Sequence, residues 1–181
     1  MALSTHAGEE ALIAESMLGV DALCVIVPRH AERRFEVQSD LQKLGYEVVL
    51  RSHFKAAEYP DRACFIIDST GEMRDWTAHA DVAIVGKSFL GKGGQNPTEA
   101  IASGVPVITG PDMSNFEPLV SMLCEEKGIV KLTDASDLKN AIMLALDRGI
   151  DNSEQLAAAK KVLALHQGAT QRTVDFLRIS E

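Results

Sequence analysis

Long apolar runs are absent from this 181-residue sequence: none approaches the roughly 18–20 residues that span a bilayer, and no signal-peptide pattern stands at its start. Positive charge is scarce as well. Only 18 Lys and Arg face 26 Asp and Glu, a formal net charge of −8, which argues against a general nucleic-acid binder with its basic surface. Cysteine is equally thin. Cys24, Cys64 and Cys124 lie far apart in the chain and the first two fall inside apolar runs. The expectation is buried, reduced thiols in a cytosolic protein, since a metal site wants closer pairing. No internal repeat, low-complexity segment or long linker divides the chain. Its length suits one well-cored domain and is short for two.

What is present reads as alternation. Hydrophobic residues make up 46% and charged residues 24%, ordinary for a globular protein. Apolar runs at residues 23–27, 46–50, 64–67, 82–85, 105–108 and 128–132 read as strands. Helical spacing or helix-end signals mark residues 9–18, 32–44, 73–80 (with the only tryptophan, Trp76), 98–103, 117–126 and 134–146. Two further helices, 153–166 and 170–177, are split by Gly168. Glu9 and Glu10 stand in a first turn, as the helix dipole prefers. Residues 1–5 fit either an edge strand or a linker, and residues 53–62 a surface loop. Strands and helices alternating in this way predict an α/β fold: a Rossmann-like, doubly wound, parallel six-stranded sheet in one domain over 1–181 that includes C-terminal helices at 153–178.

Residues 81–116, DVAIVGKSFLGKGGQNPTEAIASGVPVITGPDMSNF, organise the rest. A buried strand ends in Gly86, and Gly91-Lys92-Gly93-Gly94 then empties the backbone of side chains. Asn96 and Pro97 look like an N-cap and a first helical residue. Strand, glycine loop and helix N-terminus together present amides and a positive dipole end to a phosphate. Glu99, on the first turn, would repel that phosphate unless occupied elsewhere. A ribose diol is the usual occupant, because one carboxylate accepts both hydroxyls, so a nucleotide carrying a sugar is the expected ligand.

In open α/β sheets ligands gather outside the carboxyl ends of the strands. Three clusters fall there: Pro28-Arg29-His30, residues 69–72 and residues 86–99. Arg29 offers a planar donor fork for a phosphate or a sugar carboxylate, or else a surface ion pair. His30 is a ligand or a structural hydrogen bonder, and Thr70-Gly71-Glu72 offers amides to the edge of a base or a plain helix cap. Lys87, Lys92 and Ser88 contribute to the site or only to the loop, and His6 has no partner that sequence can name. The run from Gly86 to Gly93 falls one residue short of a P-loop, with Gly93 where a Ser or Thr should hold magnesium, and no strand ending in Asp follows. A dinucleotide dehydrogenase is disfavoured because Pro-Arg-His, not G-x-G-x-x-G, follows the first clear strand.

Gly93-Gly94-Gln95-Asn96-Pro97-Thr98-Glu99, Gly104-Val105-Pro106-Val107 and Gly110-Pro111 with Asn115-Phe116 resemble the C-terminal half of 3-deoxy-D-manno-octulosonic acid (Kdo) transferases. Ser4-Thr5-His6-Ala7-Gly8-Glu9-Glu10, Pro28-Arg29-His30-Ala31-Glu32-Arg33 and Asp68-Ser69-Thr70-Gly71-Glu72-Met73 extend the similarity over nearly the whole chain. The resemblance implies the C-terminal domain of a GT-B glycosyltransferase, binding the donor CMP-Kdo for transfer to lipid A precursor in lipopolysaccharide biosynthesis. A non-catalytic nucleotide-sugar sensor on the same fold is the alternative. The implied roles are base contact by Thr70, Gly71 and Glu72, and ribose contact by Glu99. Phosphate contact falls to Arg29, Ser88 and the amides of Gly94, Gln95 and Asn96, with Gly93 in the same loop. No catalytic residue, metal or cofactor is implied on this chain. Lys87 stands where the family has glycine, Gln95 where it has histidine, Ala100 where proline is common and Asp112 where histidine is usual. The family's N-terminal half, with its membrane-associating segment, acceptor groove and catalytic carboxylate, has no counterpart here. The chain alone is therefore expected to be inactive, its partners being a CMP-sugar and an acceptor domain, with the parent enzyme at the cytoplasmic face of the inner membrane.

Overall fold

Short runs of β-branched residues that must be covered on both faces pair most readily as parallel strands. The computed structural model, which describes residues 1–54, 62–147, 152–166 and 168–179, contains seven: β1 (Ala2–Thr5), β2 (Cys24–Pro28), β3 (Glu47–Leu50), β4 (Ala63–Ile66), β5 (Ala83–Val85), β6 (Val107–Thr109) and β7 (Val130–Lys131). All pairings are parallel, in the order β3-β4-β2-β1-β5-β6-β7.

The sheet thus has one strand more than the six expected. The addition is β1, neither edge strand nor linker but the central strand, bonded to β2 on one side and β5 on the other. All four of its residues are buried. Its sequence hides this because only Ala2 and Leu3 are apolar. Thr5 is buried through a specific bond instead, its Oγ1 donating to Glu10 Oε1 at 3.0 Å.

Side chains alternate between two cores. Ile26, Ile66, Ile84 and Ile108 point to one face, where α1 (Glu9–Ser16), α2 (Arg34–Lys43) and α6 (Leu138–Asp147) cover them. Val27, Ile67, Ala83 and Val85 point to the other, beneath α3 (Met73–Thr77), α4 (Thr98–Ala102), α5 (Leu119–Glu125) and α7 (Asn152–His166). A last helix, α8 (Ala169–Ile179), follows. The loop expected at residues 53–62 lies largely outside the described residues. Cys24 and Cys64 are buried as expected, and they sit side by side in the β2–β4 register as free thiols.

From β1 the chain passes to β2 and on to the edge strand β3, returns to β4 between them, then crosses to β5 and winds outward the other way through β6 and β7. This reversal beside β1 opens a crevice at the carboxyl ends of the strands. Gly86 sets how closely its walls approach, since a Cβ there would lie 2.5 Å from Ser4 O and 2.6 Å from Thr5 Cα. Those are backbone atoms of the central strand and cannot swing aside. Gly71 differs: its φ is +86° but no atom stands within 4 Å of its Cβ position. Gly86→Ala is expected to cost about 3 kcal/mol, at the upper end for overpacking, against about 1 kcal/mol for Gly71→Ala, the cost of the left-handed conformation alone. Urea denaturation measures both, and equal losses would contradict the close approach.

Candidate functional site

The loop after β5 is held from an unexpected place. Glu9 opens α1 and is wholly buried, and among the described residues it has no ion-pair partner. Its carboxylate instead receives backbone N–H groups: His6 at 3.0 Å and Lys87 at 2.5 Å on Oε2, Phe89 at 3.0 Å and Leu90 at 3.3 Å on Oε1. Four charge-assisted bonds replace the water that a buried anion would otherwise need. Glu9 is therefore a structural anion, not merely a first-turn charge for the dipole. Glu10, also buried, pairs with Arg33 at 2.8 Å.

This scaffold uses up part of the expected phosphate cradle. Ser88 is fully buried; its hydroxyl donates to Val85 O at 2.6 Å and accepts from Gly110 N at 2.8 Å. It pins β5 to the loop after β6 instead of facing the rim. Gly93 N donates to Asp112 Oδ1 at 2.9 Å, and Gly94 N to Lys87 O at 3.1 Å. The Ser88 hydroxyl and the Gly94 amide, both expected at the phosphate, thus have partners within the protein. Both glycines are needed for close approach: Cβ atoms would fall 2.2 Å from Asn115 Nδ2 and 2.3 Å from Met113 Sδ. The N–H groups of Gln95 and Asn96, by contrast, have no acceptor among the described residues. Asn96 Oδ1 accepts from Thr98 N at 3.0 Å, so it caps α4 as expected, although the helix begins at Thr98 and not at Pro97.

Opposite this loop lies a cavity of about 270 Å³ at the switch point, walled by Ser4, Arg29, Thr70, Gly71, Arg74 and Glu99 among others. Four of the ten expected site residues therefore meet in one space: Arg29 from the end of β2, Thr70 and Gly71 from beyond β4, and Glu99 from α4. Arg29 and Glu99 are exposed, and neither side chain has a hydrogen-bond or ion-pair partner among the described residues. Glu72 stands apart. Its carboxylate accepts from Ser69 Oγ at 2.6 Å, Trp76 Nε1 at 3.4 Å and Arg51 Nη2 at 3.2 Å, and these bonds hold it below its ordinary pKa, Ser69 foremost. Its side chain is thus committed to the loop, which leaves backbone groups for any base contact there.

The other rim acids are also tied. Bonds from Gly93 N and then Ser114 hold the Asp112 carboxyl below its usual range. Burial opposes ionisation of Asp68, but bonds from Ser52 and the nearby Arg34 outweigh it. Burial lowers the pKa of the His6 imidazole, whose Nε2 shares a 3.0 Å hydrogen bond with Gln95 Nε2 and whose ring meets His30 edge-on at 6.1 Å. Sequence reasoning gave no anchoring role to Glu9 or Asp112 and passed over Arg74. Nothing local marks the first two as loop anchors, whereas Arg74, so close behind Thr70-Gly71, was a findable signal.

Fold and rim together define a Rossmann-like α/β domain with an open site at its switch point. No protein-family model matches the sequence. The chain is 35% identical to the 3-deoxy-D-manno-octulosonic acid transferase of Haemophilus influenzae over 98% of its length and 43% of the relative's. It is 34% identical to that of Bordetella pertussis over 96% and 42%. It therefore spans about two fifths of the length of these relatives. Among solved structures, it superposes on the C-terminal CMP-Kdo binding domain of WaaA from Acinetobacter baumannii with a TM-score of 0.81 and 32% identity, covering 90% of this chain and 86% of that one. The chain belongs to the Kdo transferase family and corresponds to this C-terminal domain.

If Glu9 organises the rim, Glu9→Gln leaves an amide donor facing backbone donors and should cost about 2–4 kcal/mol, combining weakened charge-assisted bonds with an unsatisfied N–H. Glu99→Gln should change stability by less than about 0.5 kcal/mol, as for an unpartnered surface residue. Denaturant midpoints check both, and a Glu9→Gln protein as stable as the parent would remove Glu9 from this role.

Proposed function

We propose that this chain is the donor-binding half of a Kdo transferase and holds CMP-Kdo at the carboxyl rim of its sheet. The observation that carries the reading is the meeting of Arg29, Thr70, Gly71 and Glu99 around one cavity at the switch point. Arg29 supplies a guanidinium fork for the phosphate, assisted by the free amides of Gln95 and Asn96. Thr70 and Gly71 offer backbone groups to the base, and Glu99 accepts the ribose diol. Ser88, Gly93 and Gly94 serve by shaping the loop. The name of the Acinetobacter baumannii domain, a CMP-Kdo binding domain, supports the choice of donor. Among the described residues no helix is long and apolar enough to cross a membrane. We assign the whole enzyme to the cytoplasmic face of the inner membrane, with lipid A precursor as the acceptor.

Calorimetric titration with CMP tests the site. CMP should bind and AMP should bind clearly more weakly; an equal response to AMP, or none to millimolar CMP, would sink the cytidine assignment. Glu99→Gln should weaken CMP by about 1.5–3 kcal/mol, the range for hydrogen bonds to a charged group. Dideoxy-CMP, lacking both ribose hydroxyls, should lose a similar amount and be indifferent to the substitution.

Transfer is a separate matter. The acceptor hydroxyl must lose its proton and come within about 3–3.5 Å of the donor's anomeric carbon. Of Glu72, Asp112 and Glu99, the first two are held by neighbours and the third is assigned to ribose. We assign acceptor binding and the base to the part of the relatives that this sequence does not span. Residues 1–181 incubated with CMP-Kdo and lipid A precursor should yield no Kdo-lipid by mass spectrometry, and glycosylated lipid would overturn that division.

A further inference from the structure

We infer that Arg74 is a specificity residue, pairing through its guanidinium with the N3 and O2 acceptors of cytosine and so selecting cytosine over uracil. The inference rests on the nucleotide site proposed above and deepens it. Arg74 is the second residue of α3, just beyond Thr70 and Gly71, and its exposed side chain has no partner among the described residues. Other arginines near this rim are tied: Arg33 to Glu10 and Glu36, Arg34 to Asp68, Arg51 to Glu72. Arg29 and Arg74 are thus the two uncommitted forks on the cavity, and position separates their tasks. Arg29 follows β2, and its backbone N donates to Thr5 O on the central strand. Arg74, unlike Arg29, is together with Glu99 a wall common to the 270 Å³ cavity and to an adjoining hollow of about 570 Å³ between α3 and α4.

Ribose lies covalently between base and phosphate. With the diol on Glu99 and the phosphate on Arg29, the base falls toward the Gly71–Arg74 corner. Cytosine presents N3 and O2 there as two adjacent acceptors, matching the parallel N–H groups of a guanidinium. Uracil has an N3–H donor in that place, and arginine has no acceptor to meet it. Backbone amides at Thr70 and Gly71 can approach a base but do not by themselves exclude uracil, because loop peptides carry carbonyls as well.

The test titrates CMP and UMP into the full chain and into the Arg74→Met, Arg74→Lys and Arg29→Met variants. The parent should prefer CMP. Arg74→Met should weaken CMP about 10–30-fold, the loss of one bidentate pair, and UMP less than about twofold. Arg74→Lys, which keeps the charge but loses the fork, should lose the preference too. Arg29→Met should weaken both nucleotides alike and leave the preference intact. Unchanged thermal midpoints, expected for an exposed and unpartnered side chain, show that each variant is folded. Equal weakening of CMP and UMP by Arg74→Met would make Arg74 a phosphate anchor and overturn the inference, as would no effect at all. A parent that binds CMP and UMP equally overturns it while leaving the nucleotide site standing, and a parent that binds neither overturns both.

Discussion

A buried carboxylate with no counter-ion among the described residues holds the rim together. Taking such a charge out of water costs several kcal/mol unless hydrogen bonds replace hydration, and Glu9 finds four backbone donors, three of them in the loop after β5. That loop has no repeating backbone pattern of its own, yet it can be buried because Glu9 satisfies its amides. Lys87 illustrates the strength of the constraint. Its φ of +58° is a left-handed conformation that costs a non-glycine residue about 1–2 kcal/mol. The bond from Lys87 N to Glu9 and the bond from Gly94 N back to Lys87 O fix that conformation from both sides.

The same anchoring decides where charge remains available. Asp68, Glu72 and Asp112 are drawn into loop contacts that hold them ionised, and Arg33, Arg34 and Arg51 are consumed in ion pairs. Among the described residues, the groups left open around the switch-point cavity include the guanidiniums of Arg29 and Arg74 and the carboxylate of Glu99. In an acidic protein, uncommitted cations gathered at one rim are the local condition for holding an anionic ligand. Scaffold and site are built from the same residue types, and only their bonding partners tell them apart.

Much of this was legible in the chain and some was not, for reasons that can be named. Residues 82–85 and 105–108 announce buried strands through β-branched composition, and Asn96 announces a cap through its spacing from Thr98. Arg29 and Gly71 stand out because each follows a strand at its carboxyl end, a rule that topology makes general, and Glu99 because it is a carboxylate on the first turn of the helix after the glycine loop. Ser88 and Gly94 show where local reading stops. A serine and a glycine in such a loop look alike whether their polar groups face a ligand or face the next strand. Local sequence does not distinguish the two, since the partners, Gly110 for Ser88 and Lys87 for Gly94, are chosen by how the chain packs.

By itself the sequence determined the class of fold and the edge at which the candidate residues stand, because periodicity, glycines and caps act over a few residues and are written locally. Tertiary structure alone decided that residues 2–5 form the centre of the sheet, since a four-residue strand with two polar members has no signature until its neighbours bury it. It alone decided which rim groups are free. Glu9 meets the loop amides across 78 to 81 positions of chain, and contacts of that range depend on the order in which the strands assemble, which no local pattern carries.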